Sequence, residues 1–408
     1  MRAVTVVGAS LAGLSAARAL RAHGYDGRIE IVGAERHRPY DRPPLSKEFL
    51  AGTVAAEDLT LESAEDEALD LRWRLGCRAV RLDPADRAVV LDTGERLAGD
   101  GVVVATGAKA RQFPGPQPAG VHTLRTLDDA TRLRAGLHPG VKLIVIGAGF
   151  IGAEVASTAR RLGAAVTVVE AAPIPLAGPL GEEMGRVCAA LHAEHGVRLI
   201  AGAGGAVPVG ALSVDGGRVR AVRLADGTEL PADLVVVGIG AIPCVDWLAG
   251  SGLSIDGGVL TDERCATAIP GVVAVGDCAV APSRYAGSLL RAEHWTHAQQ
   301  QPAVAAATLL GRDHQPAPLA GVPYFWSDQY GVRLQFAGHR QAGDAVEVTE
   351  GDLESRRFVA VYRRGAGPAA GTATGTATRA VAVLAMNQPK PFARWRRELA
   401  RSHAPALA

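Results

Sequence analysis

Two short stretches are built to hold a doubly charged phosphate group. GASLAG (Gly8 to Gly13) follows the apolar, β-branched run Val4 to Val7, and GAGFIG (Gly147 to Gly152) sits inside KLIVIGAGFIGAEVAS. A helix-forming stretch comes next in both. The start of a helix carries unsatisfied N–H groups and the positive end of the helix dipole, and glycine lets the backbone approach closely enough for a pyrophosphate to use them. A strand then ends near an acid, Glu35 after Ile29 to Val32 and Glu170 after VTVV. A carboxylate there can accept both hydroxyls of a ribose. Strand, glycine turn, helix, strand, acid is the order that binds a dinucleotide. Gly147, Gly149 and Gly152 carry it intact, whereas Ser10 stands in place of the middle glycine between Gly8 and Gly13. One such turn also occurs in purely structural roles; two, each with a strand before and an acid after, point to two dinucleotides.

The residues around each turn separate the two ligands. Glu170 is followed by Ala171 and Ala172, so a 2′-phosphate would meet a carboxylate and no cation, and NADH is expected in preference to NADPH at the second turn. VAVGDCA (Val273 to Ala279) places Asp277 after a glycine at the end of another apolar strand. There a carboxylate can accept a ribityl hydroxyl. A Gly-Asp pair after a strand is often only a turn, but joined to the first glycine turn and to Ala105-Thr106-Gly107 it points to FAD in the first module.

These residues need elements to position them. A chain of 408 residues with 48% hydrophobic content suggests two or three domains. DGVVVATGAKARQFPG (Asp100 to Gly115) and ADLVVVGIGAIPCVDWL (Ala232 to Leu248) share one plan, a late strand turning at a glycine and then a proline. They are the expected return strands of two nucleotide modules, the second inserted in the first. The expected fold is α/β, with two Rossmann-like dinucleotide-binding domains and a small α+β C-terminal domain. The FAD domain is placed at residues 1–112 and 241–320, the NADH domain at 113–240 and the third at 321–408. That third domain is read from the alternating strands VRLQFAG, AVEVTEG, RFVAVYRR and RAVAVLAMN, with a flexible hairpin loop from Gly365 to Thr378 and a closing helix at FARWRREL.

Composition excludes several classes. A net charge of +1 argues against a nucleic-acid or membrane-surface binder. No apolar run reaches the roughly 20 residues that span a membrane, and the N-terminus lacks the marks of an export signal, so a cytoplasmic location is expected. The five cysteines are scattered, with no CxxC pair and no histidine at metal-ligand spacing, so no metal is expected.

GASLAGL, RPYDRPPLSK, LRTLDDA, GAGFIGAE, VAVGDCA, AEHWTHAQQQ and YFWSDQYG together carry a resemblance over essentially the whole chain. The sequence resembles the FAD-dependent pyridine nucleotide reductases, and among them the NADH-dependent, putidaredoxin reductase-like ferredoxin reductases that serve oxygenases. The resemblance implies that Ala12, Glu35, Lys47, Val80 (through its backbone), Arg125, Asp277 and Trp295 line the FAD site. Ser10, Arg42, Thr106, Gly107, Ile151 and Gly240 complete, with the glycine turns and Glu170, the expected cofactor-binding set. It also implies that RPYDRPPLSK (Arg38 to Lys47) runs beside the isoalloxazine, its prolines reducing the entropy of holding it there. Lys47 would project toward the flavin N5 region, paired with Glu154. These two are the expected catalytic residues, since a fixed cation favours the negative charge of reduced flavin.

The same stretch excludes neighbouring chemistries. Disulfide reductases with this double fingerprint need a cysteine pair beside the flavin, and related peroxidases and oxidases need one. Here the residues are Pro43, Pro44, Leu45 and Ser46, so electrons must pass to an external acceptor. The resemblance makes that acceptor a small [2Fe-2S] ferredoxin, reduced one electron at a time and feeding a monooxygenase or dioxygenase. From Arg284 to the C-terminus there are 15 Arg and Lys against 9 Asp and Glu, a net +6 suited to steering an acidic partner in a transient complex. Arg356-Arg357, Arg363-Arg364, Arg284, Arg291 and the Arg394 to Arg397 cluster are candidate docking residues, and Trp326 is a candidate at the flavin edge. Three other functions fit the same motifs: a peroxide-forming NADH oxidase, a reductase for rubredoxin or a nitrite-reducing partner, and a redox-sensing nucleotide-binding protein.

Overall fold

The computed structural model describes residues 1–202, 209–312, 321–365 and 378–402. Followed along the chain, β1 (Ala3–Val7), β2 (Arg28–Gly33), β3 (Leu71–Leu75) and β4 (Gly101–Val104) build one parallel sheet. The chain then leaves it. A second parallel sheet takes β5 (Val121–His122), β6 (Lys142–Ile146), β7 (Ala165–Glu170), β8 (Arg198–Ala201) and β9 (Leu234–Val237), after which β10 (Val272–Ala274) returns to the first. The strand orders are β10-β4-β1-β2-β3 and β8-β7-β6-β9-β5. Strands covered on both faces read as unbroken apolar runs, which is why Val4 to Val7, Gly101–Val104 and Leu234–Val237 are buried throughout: helices cover one face of each sheet, and a three-stranded antiparallel sheet, within residues 79–97 on the first and 209–231 on the second, covers the other.

Both crossings between the sheets pass one place. Ala108–Ala110 on the way out pairs antiparallel with Ala241–Pro243 on the way back. Side by side, they form a two-stranded strap.

Helices supply the covering layer on the first face of each sheet. α1 (Leu11–Ala22) and α5 (Trp295–Leu309) pack on the first sheet, with Ala16, Ala17 and Leu20 against Ala305, Ala306 and Leu309. The small side chains let the two helices approach closely. In the second module α2 (Leu127–Gly136) and α3 (Phe150–Arg161) bury Leu133, Val155 and Ala159 with Leu143, Val145 and Leu234 of the sheet. α2 starts with a capping box in which Thr126 accepts from the Asp129 amide and Asp129 accepts from the Thr126 amide.

The third domain is an antiparallel sheet of β11 (Tyr324–Gln329), β12 (Val332–Gly338), β13 (Ala345–Asp352), β14 (Arg357–Gly365) and β15 (Thr378–Met386), in the order β11-β12-β15-β14-β13. Alternation assigns its two faces. Phe358, Ala360 and Tyr362 point to α4 (Ala177–Glu194) of the second module, whose Leu180, Met184 and Leu191 join them. Val359 and Val361 point to α6 (Pro389–Ser402), whose Phe392 and Leu399 close the other side. Tyr324 to Gln329, read in the sequence only as a motif, is the edge strand of this sheet. The loop expected between Gly365 and Thr378 lies, for residues 366–377, outside the described residues.

All five cysteines are free thiols. Among the described residues no group of His, Cys, Asp and Glu is placed to hold a metal, and no helix is long and apolar enough to cross a membrane.

Candidate active site

The carboxyl ends of β1, β2 and β4 open into a cavity of about 740 Å³ that also takes walls from the second and third domains. Ligands of open α/β sheets bind at such strand ends. Gly8 (φ +129) begins the first turn, and a Cβ there would collide with the Ala105 carbonyl, as one at Gly13 would with the Gly8 carbonyl. The second turn repeats this: a Cβ at Gly147 (φ +99) would meet the Gly238 carbonyl, and one at Gly152 the Gly147 carbonyl. The middle position differs. Gly149 has φ −70 with nothing within 4 Å of an added Cβ. Ser10, its counterpart, has φ −134 and ψ −162, extended backbone open to any residue. The substitution is therefore unstrained, and the Ser10 Oγ accepts from Arg42 Nε at 3.3 Å.

At one end of the cavity Glu35 is tied to RPYDRPP. Tyr40 Oη donates to Glu35 Oε2 at 2.5 Å, and Arg42 Nη2 pairs with Glu35 Oε1 at 2.7 Å. Arg42 also donates to the Arg125 carbonyl at 2.7 Å, and Tyr40 Oη accepts from the Leu127 amide at 2.9 Å. The loop thus bridges the first module to the start of α2. Burial pushes the Tyr40 phenol up, so it stays a donor.

The prolines that follow form a 3₁₀ turn, Pro43–Ser46, and deliver Lys47 to the wall. Lys47 is 9% exposed and Glu154, on α3, is 2% exposed. Lys47 Nζ lies 2.7 Å from Glu154 Oε2 and donates to the Pro43 carbonyl at 2.8 Å. Glu154 accepts further from Ser46 Oγ (2.5 Å), Ser327 Oγ (2.7 Å) and the Asp328 amide (3.2 Å). All three domains meet at this carboxylate. A buried ion pair holds only when its remaining polar atoms are satisfied. Here they are.

Between the ends lie Arg125 and Asp277, 2.5 Å apart, with Arg125 Nε also donating to the Ala108 carbonyl at 3.0 Å. Thr106 and Gly107 border the same stretch, Thr106 Oγ1 donating to the Cys244 carbonyl at 2.7 Å. Beyond Lys47 the wall turns aromatic. Phe150 and Phe325 have centroids 4.8 Å apart, His294 is 5.4 Å from Phe325, and Trp295 meets Trp326 at 6.3 Å. Trp295 Nε1 donates to Asp41 Oδ1 at 2.8 Å. Burial holds His294 and His297 neutral, their pKa values pushed down to about 4.

Ala12, Lys47, Arg125, Ile151, Asp277 and Trp295 line this one cavity together with Gly8, Ser10, Glu35 and Arg42. Gly13 lies beneath the first turn, and Val80 is 49% exposed beside Cys77, Arg78 and Ala79, which do line it. Gly147, Gly149, Gly152, Glu170 and Gly240 stand apart from the cavity wall, on the second module. There Glu170 accepts the Ala148 amide at 2.6 Å and the Ala172 amide at 2.8 Å, which fixes its carboxylate against the glycine turn. Gly240 (φ +102) presents its carbonyl to the Arg111 amide at 2.9 Å. Sequence reasoning missed Phe150, Pro179, Cys244, His294 and Phe325 in the wall and Ser46 and Ser327 as partners of Glu154. Ser46, Phe150, His294, Phe325 and Ser327 lie inside the quoted motifs, but their roles here are set by tertiary packing, as are the positions of Pro179 and Cys244.

Two Rossmann-type modules around a shared cavity, with a glycine turn on each, define an oxidoreductase that works between two dinucleotides. The chain belongs to the pyridine nucleotide-disulphide oxidoreductase family, which matches residues 2–302, and residues 324–408 match the family described as reductase C-terminal. The ferredoxin–NAD(+) reductase component of the biphenyl dioxygenase system of Paraburkholderia xenovorans (strain LB400) is 40% identical over 362 residues, 88% of this chain and 86% of that protein. The corresponding component of the anthranilate 1,2-dioxygenase system of Burkholderia cepacia is 38% identical over 398 residues, 95% and 96% of the two chains. Among solved structures, the covalent putidaredoxin reductase–putidaredoxin complex matches with a TM-score of 0.88 and 33% identity, over 98% of this chain and 93% of that one.

The residues fit FAD in the first module and NADH in the second. Gly8 and Gly147 let each turn close on a neighbouring backbone carbonyl that a side chain would strike, the space around Gly149 stays open, and each turn has an acid fixed near the end of its second strand.

Proposed function

We propose that the protein is an NADH-dependent ferredoxin reductase that passes electrons singly to a [2Fe-2S] ferredoxin of an oxygenase system. The observation that carries this reading is the buried Lys47–Glu154 pair in the cavity wall, at the junction of the three domains and in the stretch where thiol-relay enzymes place cysteine. FAD, when bound, supplies the exchange between two-electron reduction by NADH and one-electron delivery to iron-sulfur proteins. Lys47 holds a fixed positive charge at the place where negative charge grows, and Glu154 with the Pro43 carbonyl keeps its Nζ from swinging away. α5 starts at the same wall with no side chain capping its first N–H groups, so its positive end adds to the effect. Asp277, Arg125 and Arg42 orient the ribityl and pyrophosphate part. Glu35 and Glu170 take the two riboses, and Glu170, without a neighbouring cation, disfavours a 2′-phosphate. In this reading the domains divide at 1–112 with 241–320, 113–240 and 321–408.

The likeness to reductase components of dioxygenase systems and to a reductase solved with its putidaredoxin supports a ferredoxin as acceptor. Trp326 suits the exit, because it lines the cavity and stacks on Tyr324 at 5.8 Å, over which Arg396 lies at 4.5 Å. Several other arginines have internal partners: Arg356 pairs with Glu194, Arg363 with Glu347, Arg364 with Asp344 and Arg394 with Glu350. Because it lies over the Tyr324 ring that stacks on Trp326, Arg396 marks the face to which docking is assigned. Steady-state NADH oxidation with a panel of purified ferredoxins tests the function; turnover with oxygen alone, and with no ferredoxin, would replace it by an oxidase.

A further inference from the structure

Resting on the reading that NADH is the reductant, we infer that Arg340 and Tyr362 of the third domain position the entry of the nicotinamide by holding a break in α4. Gly181 (φ 80, ψ 162) is not helical, and Leu176 just before α4 is left-handed at φ 59. A break of this kind leaves carbonyls without their i+4 donors. Two are taken up from outside the module. Tyr362 Oη donates to the Leu180 carbonyl at 2.7 Å, and Arg340 Nη1 donates to the Gly178 carbonyl at 2.8 Å. A Cβ on Gly181 would come within 3.1 Å of Arg340 Nε, so the guanidinium lies across the break itself.

The residue between the two captured carbonyls is Pro179, and Pro179 lines the cavity. Its ring fixes φ, so pinning the carbonyls on either side fixes where the ring stands. From α3 and α4 it reaches the wall together with Phe150, Ile151 and Glu154. A nicotinamide whose pyrophosphate sits at the Gly147 turn must cross this part of the wall to reach a flavin beside Lys47. The same helix is held at its far end as well, where His192 Nδ1 is 2.7 Å from Tyr330 Oη and Glu194 pairs with Arg356. The width of the entry in the second module is thus set by side chains of the third.

Tyr362→Phe keeps the packed ring and removes only the donor; Arg340→Met keeps the stem and removes the guanidinium. In FAD-loaded protein each should weaken NAD+ binding, read by titration calorimetry, by about 3- to 10-fold, the range for one lost hydrogen bond. KM for NADH should rise alongside, with kcat, FAD content and the flavin spectrum unchanged. Amide hydrogen exchange at Leu180 and Gly181, which needs no nicotinamide, should speed up in both variants. Unchanged exchange, unchanged NAD+ affinity in both, or a parallel loss of FAD would overturn the inference. Failure of NADH to reduce the unaltered protein would instead defeat the reading beneath it, while the exchange measurement would still decide whether the two side chains hold the break.

Discussion

Lys47 and Glu154 stand 107 positions apart in sequence, and their chemistry depends on a separation of 2.7 Å. Lys47→Ala removes the one cation of that cluster and leaves Glu154 with its serine and amide donors, so folding and FAD binding should survive. The limiting rate of flavin reduction by NADH should fall about 10- to 1000-fold, with a smaller change in NADH affinity; stopped-flow absorbance separates the two. A second residue governs stability with pH. His192 is 1% exposed, and burial holds its pKa down to about 4 instead of the ordinary 6.5. The unfolded chain takes up that proton near 6.5 and the folded one only near 4, so stability falls as pH drops through this window. The loss is roughly 1 to 3 kcal/mol. His192→Gln should flatten the decline in Tm between about pH 7 and 4.5; an equally steep profile would remove His192 from it. His294 and His297 act in the same direction and supply the background against which the difference is read.

At the scale of elements the two glycine turns are separable. Gly152→Ala drives a Cβ into the Gly147 carbonyl and Gly13→Ala does the same to Gly8. The first should abolish reduction by NADH while the purified protein stays yellow, and the second should release FAD; both are read from the visible spectrum before and after NADH. These turns were legible in the sequence because their chemistry is local: strand, glycine, helix and acid are contiguous. The insertion of one module in the other was expected from paired segments of shared plan, whereas the order of the parallel strands was not, since it depends on pairings distant in sequence. The roles of Pro179 and Phe325 in the cavity wall and of Ser327 as a donor to Glu154 were not legible, since each is placed by an element whose packing partner is far away in sequence. Arg356 teaches the same from the surface. As half of a charged pair it looked free for docking, yet a left-handed turn (φ 55) directs it to Glu194.

For the whole molecule, the pairs Arg363–Glu347, Arg364–Asp344 and Arg394–Glu350 leave the net +6 of the chain from Arg284 onward unchanged but fix where its charges stand, whereas Arg356 spends its charge on Glu194 of the second module. The second-order rate of ferredoxin reduction should still fall as salt rises, since screening shortens the reach of exposed charges to about 8 Å at physiological ionic strength. Reduction of a neutral dye should change little. Arg396→Glu should bring the low-salt rate down toward the high-salt one, whereas Arg356→Glu should act through stability instead; the reverse pattern would move the docking face.

The two-stranded strap of Ala108–Ala110 and Ala241–Pro243 has a mechanical meaning. A domain hung only from such a strap could swing like a door. Here α4 is also bolted to the third domain, which the chain joins back to the first, so the three bodies form a closed kinematic loop. Closing a loop removes the swing. NADH must then enter through a standing opening instead of a hinged one, and the distance between its binding turn and Lys47 is built in before either dinucleotide arrives.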